Sequence, residues 1–232
     1  MNMMSLGNKN MQGRPVSSSR PGIVTALDIG TSKIACFIAK IEPGRMADGL
    51  HPVRVLGIGH QVSRGMRGGA VVNMDETEEA IRVAVDAAER MAGITVKEVV
   101  VSVSCGELKS QTVAVKSSLA GQAISDEDVQ RLLAHARVHY KPEGRDVLHA
   151  IPVNYAVDGS RGVRAPQGMF GEQLGVEVHM VSAVKGPLRN LALCIERCHL
   201  DIAGIAAAPY AAGLSALVED EKDLGVTLID MG

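Results

Sequence analysis

The chain has 232 residues and a formal net charge of −2, with 46% hydrophobic and 22% charged residues, enough length to bury one large core or two small ones. The lack of a basic excess argues against a general nucleic-acid binder. With no Trp, two Phe and three Tyr, base-stacking platforms are scarce, and the core must come from Val, Ile, Leu, Ala and Met.

Residues 1–21 lack periodicity and acids and carry Lys9, Arg14 and Arg20; they predict a disordered tail. Residues 23–40 read IVTALDIGTSKIACFIAK, two apolar strands around the turn Asp28-Ile29-Gly30-Thr31-Ser32-Lys33. A polyphosphate with its magnesium wants such a set: a glycine that lets backbone come close, successive N–H groups that form an anion-binding concavity, a carboxylate for hydrated Mg²⁺, and a lysine point charge. The bland reading is a polar hairpin turn.

Residues 45–52 predict a loop and 53–60 a third strand. The glycine-rich, basic stretch SRGMRGGAVVN (63–73) reads as a solvated loop rather than an RNA patch. Asp75 with Glu78 predicts a capping-box-like helix start, followed by Ile81, Ala84, Val85, Ala88, Met91 and Ala92 at helical spacing, with Gly93 as the stop. Strands are predicted at 97–104 and 111–115, and a second helix capped by Ser125 and Asp128 with Val129, Leu132, Leu133 and Ala136 inward. A turn at 141–144 leads to strands at 147–153 and 176–184, with a loop over 158–175. Pro187 suits the first turn of a third helix with Leu188, Leu191, Ile195 and Cys198 on one face. A short strand at 202–205, a helix at 209–218 and a last strand at 226–230 close the chain. Strands and helices mix throughout, so the class is α/β or α+β.

The cysteines Cys36, Cys105, Cys194 and Cys198 show no disulfide spacing and nothing resembles a signal peptide, which fits a reducing cytoplasmic setting. Cys194 and Cys198 share an apolar helix face, so they read as small hydrophobes rather than as metal ligands with His199. Cys105 has no histidine near it in sequence. For His135, His139 and His149, around the second helix, the sequence establishes no ligand geometry. Asp126, Glu127 and Asp128 complement a helix N-terminus. Neither a Walker A nor a dinucleotide glycine fingerprint occurs, so any phosphate is held by a strand-turn-strand loop.

The turn DIGTSK resembles the first phosphate loop of the actin-like ATPase superfamily, which includes actin, heat-shock chaperones and sugar kinases; the terminal LIDMG resembles the start of its second. Between them, GIGHQVSRGMRGGAVVNMDE, VLHAIPVNYAVDG and IERCHLDIAGIAAAPYAAGLSAL resemble the FtsA family of bacterial cell-division proteins, over nearly all of residues 23–232. The resemblance implies an actin-like (ribonuclease H-like) α/β fold: subdomain 1A from residues 22–97 and 175–225, an inserted SHS2-type subdomain 1C from 98–174, and the start of a truncated subdomain 2A at 226–232. It implies ATP with Mg²⁺ as cofactors. Asp28 would face the metal; Gly30, Thr31, Ser32 and Lys33 would contact the phosphates. Asp230 would stand near metal and attacking water as the catalytic residue, and Gly232 would open the second loop.

It further implies a scaffold that anchors FtsZ filaments to the cytoplasmic face of the inner membrane at the division site. Such a scaffold self-associates into filaments, recruits later division proteins through subdomain 1C, and is at most a weak ATPase. Because this sequence stops at Asp230-Met231-Gly232, the expectation is that the second half of the fold is missing. With it would go the adenosine-binding segment, the FtsZ-binding region and a C-terminal amphipathic membrane helix, leaving half a nucleotide site that binds ATP weakly or not at all. The strand at 226–230 would leave apolar surface open. The alternatives are a sugar- or acetate-kinase-like phosphotransferase, for which no sugar- or acyl-binding loop with a catalytic Asp is recognisable, and an actin-like adaptor of pilus assembly.

Overall fold

The computed structural model describes residues 22–44 and 51–231; the expected tail at 1–21, most of the loop expected at 45–52, and Gly232 lie outside them. The chain divides into two compact units, Met1–Glu107 with Lys185–Gly232, and Leu108–Val184. Both boundaries fall later in the sequence than the expected 98 and 174. The strand at Glu98–Val103 belongs to the first unit's sheet, and that at Gln173–Val184 to the second's.

In the first unit, β1 (Ile23–Ile29), β2 (Lys33–Ile41) and β3 (Val53–Val62) form an antiparallel meander. Two more short strands, β4 (Met66–Arg67) and β5 (Ala70–Val71), make a separate hairpin. Helix α1 (Met74–Ala92) then leads to β6 (Glu98–Val103), which pairs parallel with β1. The sheet order is β11-β6-β1-β2-β3, with β11 (Asp201–Ala207) parallel to β6.

One face of this sheet is apolar because alternate residues point to it: Leu27 and Ile29 from β1, Ile34, Cys36 and Ile38 from β2, and Val99, Val101 and Val103 from β6 are all buried. Helix α1 covers it with Ile81, Ala84, Val85 and Ala88. The approach is so close that β3 carries glycine where side chains would stand. A Cβ added at Gly59 would overlap the Ala84 carbonyl and stand 2.8 Å from Ala88 N, and one at Gly57 would lie 2.9 Å from the Ala92 Cβ. Helix α3 (Lys185–Arg197) packs beside α1 with Leu188, Leu191, Cys194 and Ile195 buried. Arg197 donates to Glu78 Oε1 at 2.9 Å and Arg82 to Glu78 Oε2 at 3.2 Å, so this carboxylate, 7% exposed, has two cationic partners.

In the second unit, β7 (Lys109–Ser118), β8 (Arg145–Val157), β9 (Ser160–Val163) and β10 (Gln173–Val184) form an antiparallel sheet in the order β7-β10-β8-β9. Helix α2 (Asp126–His139) lays Val129, Leu132 and Ala136 on Leu174, Val176, Val178 and Met180 of the central strand. The buried Ser182 is tied to Arg145, which donates to its Oγ at 3.1 Å and its carbonyl at 2.9 Å.

The structure corrects three expectations. The N-cap of α1 is Asn73, whose side chain accepts from Glu76 N, and not Asp75; the Asn side chain reaches the free first-turn N–H groups from one step outside the helix. The loop expected at 158–175 contains β9, which folds back on β8 through Asp158 and Gly159, at φ 48 and 84. Residues 226–230 are not a strand. The short helices α4 (Ala208–Ala216) and α5 (Glu219–Leu224) precede a non-repetitive exposed stretch. An apolar, β-branched sequence becomes a strand only where a neighbour offers a ladder, and here Ile229 is 74% and Met231 88% exposed.

Gly59→Ala should destabilise the chain by about 1–3 kcal/mol, the usual cost of overpacking, because the backbone of α1 must retreat; urea unfolding measures it. The Ser125–Asp128 capping box makes a second expectation. The Ser125 hydroxyl, followed by the Ser125 N–H, holds the Asp128 carboxyl below its usual range. A depressed native pKa stabilises above the unfolded value of about 3.9 and is lost as pH falls through the native value. The stability gap between wild type and Asp128→Asn should therefore be full at neutral pH and close under acid, read as unfolding midpoints against pH.

Candidate functional site

The β1–β2 turn is built from the chain's own hydrogen bonds. Gly30 N–H donates to the Lys33 carbonyl at 3.0 Å, closing the turn, and Ser63 N–H donates to the Ser32 carbonyl at 3.0 Å, tying it to the end of β3. Gly69 N–H donates to Thr31 Oγ1 at 2.9 Å. Gly69 is buried and lies in the two-residue turn of the β4–β5 hairpin with Gly68, at φ 77 and 54. That geometry needs a residue free to adopt positive φ twice in succession.

The hairpin is anchored in turn to α1. Val72 and Asn73 N–H groups donate to the Gly65 carbonyl at 2.8 and 3.0 Å, Asn73 caps the helix, and the Thr77 hydroxyl bonds the Asn73 carbonyl at 2.8 Å. The 63–73 stretch is thus an ordered brace between turn and helix, where the sequence suggested a solvated loop. Its Gly-Gly turn dipeptide was the readable signal.

The structure brings Asp28, Gly30, Thr31, Ser32 and Lys33 together at this hairpin end. Asp28 lies on the sheet face opposite Leu27 and Ile29, between the small residues Ala35 and Ser102, and no ion pair neutralises it among the described residues. Ser32 and Lys33 are exposed, with side chains uncommitted among the described residues. Ser63 Oγ, beside the turn, is buried without a partner among them. Thr31 Oγ1 accepts from Gly69, which leaves its proton free to donate. One unpaired carboxylate, three hydroxyls and an ammonium around a tight turn are chemically suited to an anion with a hard cation.

Asp230 is not brought into this group by any strand: it lies in the exposed stretch after α5. Gly232 is outside the described residues. No group of three or more His, Cys, Asp or Glu side chains suited to a metal occurs among the described residues.

The four thiols are packed into the fold, Cys36, Cys105 and Cys194 buried and Cys198 half-buried. Burial first, with nearby carboxylates adding, pushes Cys36 and Cys194 up to about 11. Cys198 also reaches about 11, mainly through burial, and burial raises Cys105. The raised values favour the protonated, less reactive thiol in each case.

Thr31→Val should cost about 1–3 kcal/mol, because it orphans the buried Gly69 N–H, whereas Thr31→Ser keeps the acceptor. Denaturant unfolding, together with amide exchange at Gly69, separates the two: protection survives in the serine variant and falls in the valine variant.

Residues 105–182 match the model of the SHS2 domain inserted in FtsA, close to the second unit at Leu108–Val184. The chain is 44% identical to the cell division protein FtsA of Agrobacterium fabrum over 94% of its own length and 50% of that protein's. To FtsA of Bacillus subtilis it is 37% identical (90% of this chain, 47% of the relative), and to that of Escherichia coli K12 31% (90% and 49%). It thus spans about half the length of the curated relatives it matches. Among solved structures it resembles a chain of the PilM-PilN type IV pilus biogenesis complex, with a TM-score of 0.55 at 13% identity, over 84% of this chain and 50% of that one; this likeness concerns the fold alone. The sheet of the first unit and the inserted SHS2 module are those of an actin-like fold, and along 90–94% of its length the chain is similar to cell-division proteins FtsA.

Proposed function

We propose that this chain is the part of an actin-like division scaffold that carries the first phosphate turn and the SHS2 module. What carries the reading is identity of up to 44% with FtsA proteins along 94% of the chain; the kinase alternative is not favoured. On this reading the β1–β2 turn receives the phosphates of ATP. Lys33 gives them a point charge, Thr31 and Ser32 hydroxyls donate, and Gly30 keeps the backbone within reach. Asp28 holds the hydration shell of Mg²⁺, which when bound screens the phosphate charge. Asp230 and Gly232 contribute from the second phosphate loop, with Asp230 orienting water.

The surface of the SHS2 module serves self-association and contact with later division proteins, while FtsZ filaments are tethered at the cytoplasmic face of the inner membrane. No helix among the described residues is long and apolar enough to cross a membrane. Membrane attachment on this reading runs through an amphipathic helix like the one the family carries at its C-terminus.

The test uses the gene product at the length of its curated relatives. It should bring FtsZ filaments down with liposomes, and failure to do so sinks the scaffold reading. Separately, Asp28→Ala or Lys33→Ala should weaken Mg-ATP binding by at least about tenfold, the loss of one charge-assisted contact. Unchanged affinity overturns the assignment of the turn.

A further inference from the structure

On α2 of the SHS2 module, His135 and His139 lie one helical turn apart on the exposed side, away from Val129, Leu132 and Ala136. Their Nε2 atoms stand 2.7 Å apart, and the rings meet edge to face with centroids at 4.2 Å. The helix is regular through this turn, since Tyr140 N–H still reaches the Ala136 carbonyl at 3.1 Å. No other partner holds either ring among the described residues.

We propose that His135 and His139 form a surface site for a divalent transition cation that prefers imidazole, such as Zn²⁺, Ni²⁺ or Cu²⁺. Two histidines four apart on one helix present both nitrogens to a single ion. Bonds of about 2.0–2.1 Å to each nitrogen ask the pair to open slightly from its hydrogen-bonding distance, which a small rotation of either ring supplies. Without metal, one Nε2–H donates to the other Nε2. On binding, that ring carries its proton on Nδ1 instead, so both Nε2 lone pairs face the ion.

No third His, Cys, Asp or Glu joins the pair among the described residues, so water fills the remaining positions and the site stays open. Arg131, a turn earlier on the same face, disfavours a cation, but its guanidinium is 3.5 Å from Asp128 Oδ1 and partly offset by it. Oxygen-seeking Mg²⁺ does not suit two imidazoles, which separates this site from the β1–β2 turn.

The 232-residue chain is titrated with Zn²⁺ by calorimetry in millimolar Mg²⁺, and Ni²⁺ broadening is mapped by nuclear magnetic resonance. The expected result is one saturable site, with broadening centred on α2. His135→Gln and His139→Gln should each weaken it by at least about tenfold, a loss that even outer-shell substitutions cause at metal sites, with the circular dichroism unchanged. No saturable binding overturns the proposal. So does equal binding by the double variant, or broadening centred on Cys194 and Cys198 of α3.

Discussion

The first unit depends on how closely α1 lies against β3. Gly57 and Gly59 let the helix backbone at Ala84 and Ala88 rest on the strand backbone, an approach that any side chain there would prevent. It fixes the depth and tilt of α1, and α1 begins at Asn73, where the 63–73 segment ends. The Gly65 carbonyl that takes the Val72 and Asn73 N–H groups, and the Gly69 N–H that reaches Thr31, are therefore placed by a packing constraint well away from the turn they hold. A strand-turn-strand hairpin left alone would flex; this one is clamped from outside by backbone donors.

The same clamp explains how much could be read beforehand. Strands β1, β2 and β6 of the first sheet and the helices α1, α2 and α3 follow from apolar periodicity, because each buries an apolar face and the pattern repeats over several residues. The strands not expected, β4, β5 and β9, are too short to show a period. Each of their two hairpins is announced only by a turn dipeptide, Gly68-Gly69 and Asp158-Gly159, with positive φ at both positions. The Asn73 cap was hidden by Asp75 and Glu78, which mimic a capping box; in the structure Glu78 is committed instead to Arg82 and Arg197. Pairing between α1 and α3 is a tertiary fact that no local spacing reports.

Within the site, the residue types were legible and their fastening was not. DIGTSK names its carboxylate, hydroxyls and ammonium, and the structure gathers Asp28 through Lys33 at one hairpin end. Nothing local says that Thr31 spends its acceptor on Gly69, because the two are distant in sequence. Residues 226–230 failed for the converse reason. Their composition favours a strand, but strand structure is a property of the pair, and these residues have no partner edge in the five-stranded sheet.

The brace also bears on how an actin-like phosphate turn differs from the sites at helix N-termini. There, the helix dipole and free N–H groups supply the positive end. At the β1–β2 turn three backbone donors are engaged, Gly30 on Lys33, Ser63 on Ser32 and Gly69 on Thr31, while the Thr31 and Ser32 N–H groups carry no bond among the described residues. What stays uncommitted is those two N–H groups, the side-chain hydroxyls and the Lys33 ammonium, held in place by those bonds. On the proposed reading, such a turn binds through groups positioned by neutral backbone contacts, and its strength follows from how firmly α1 and the β4–β5 hairpin keep Thr31 where it is.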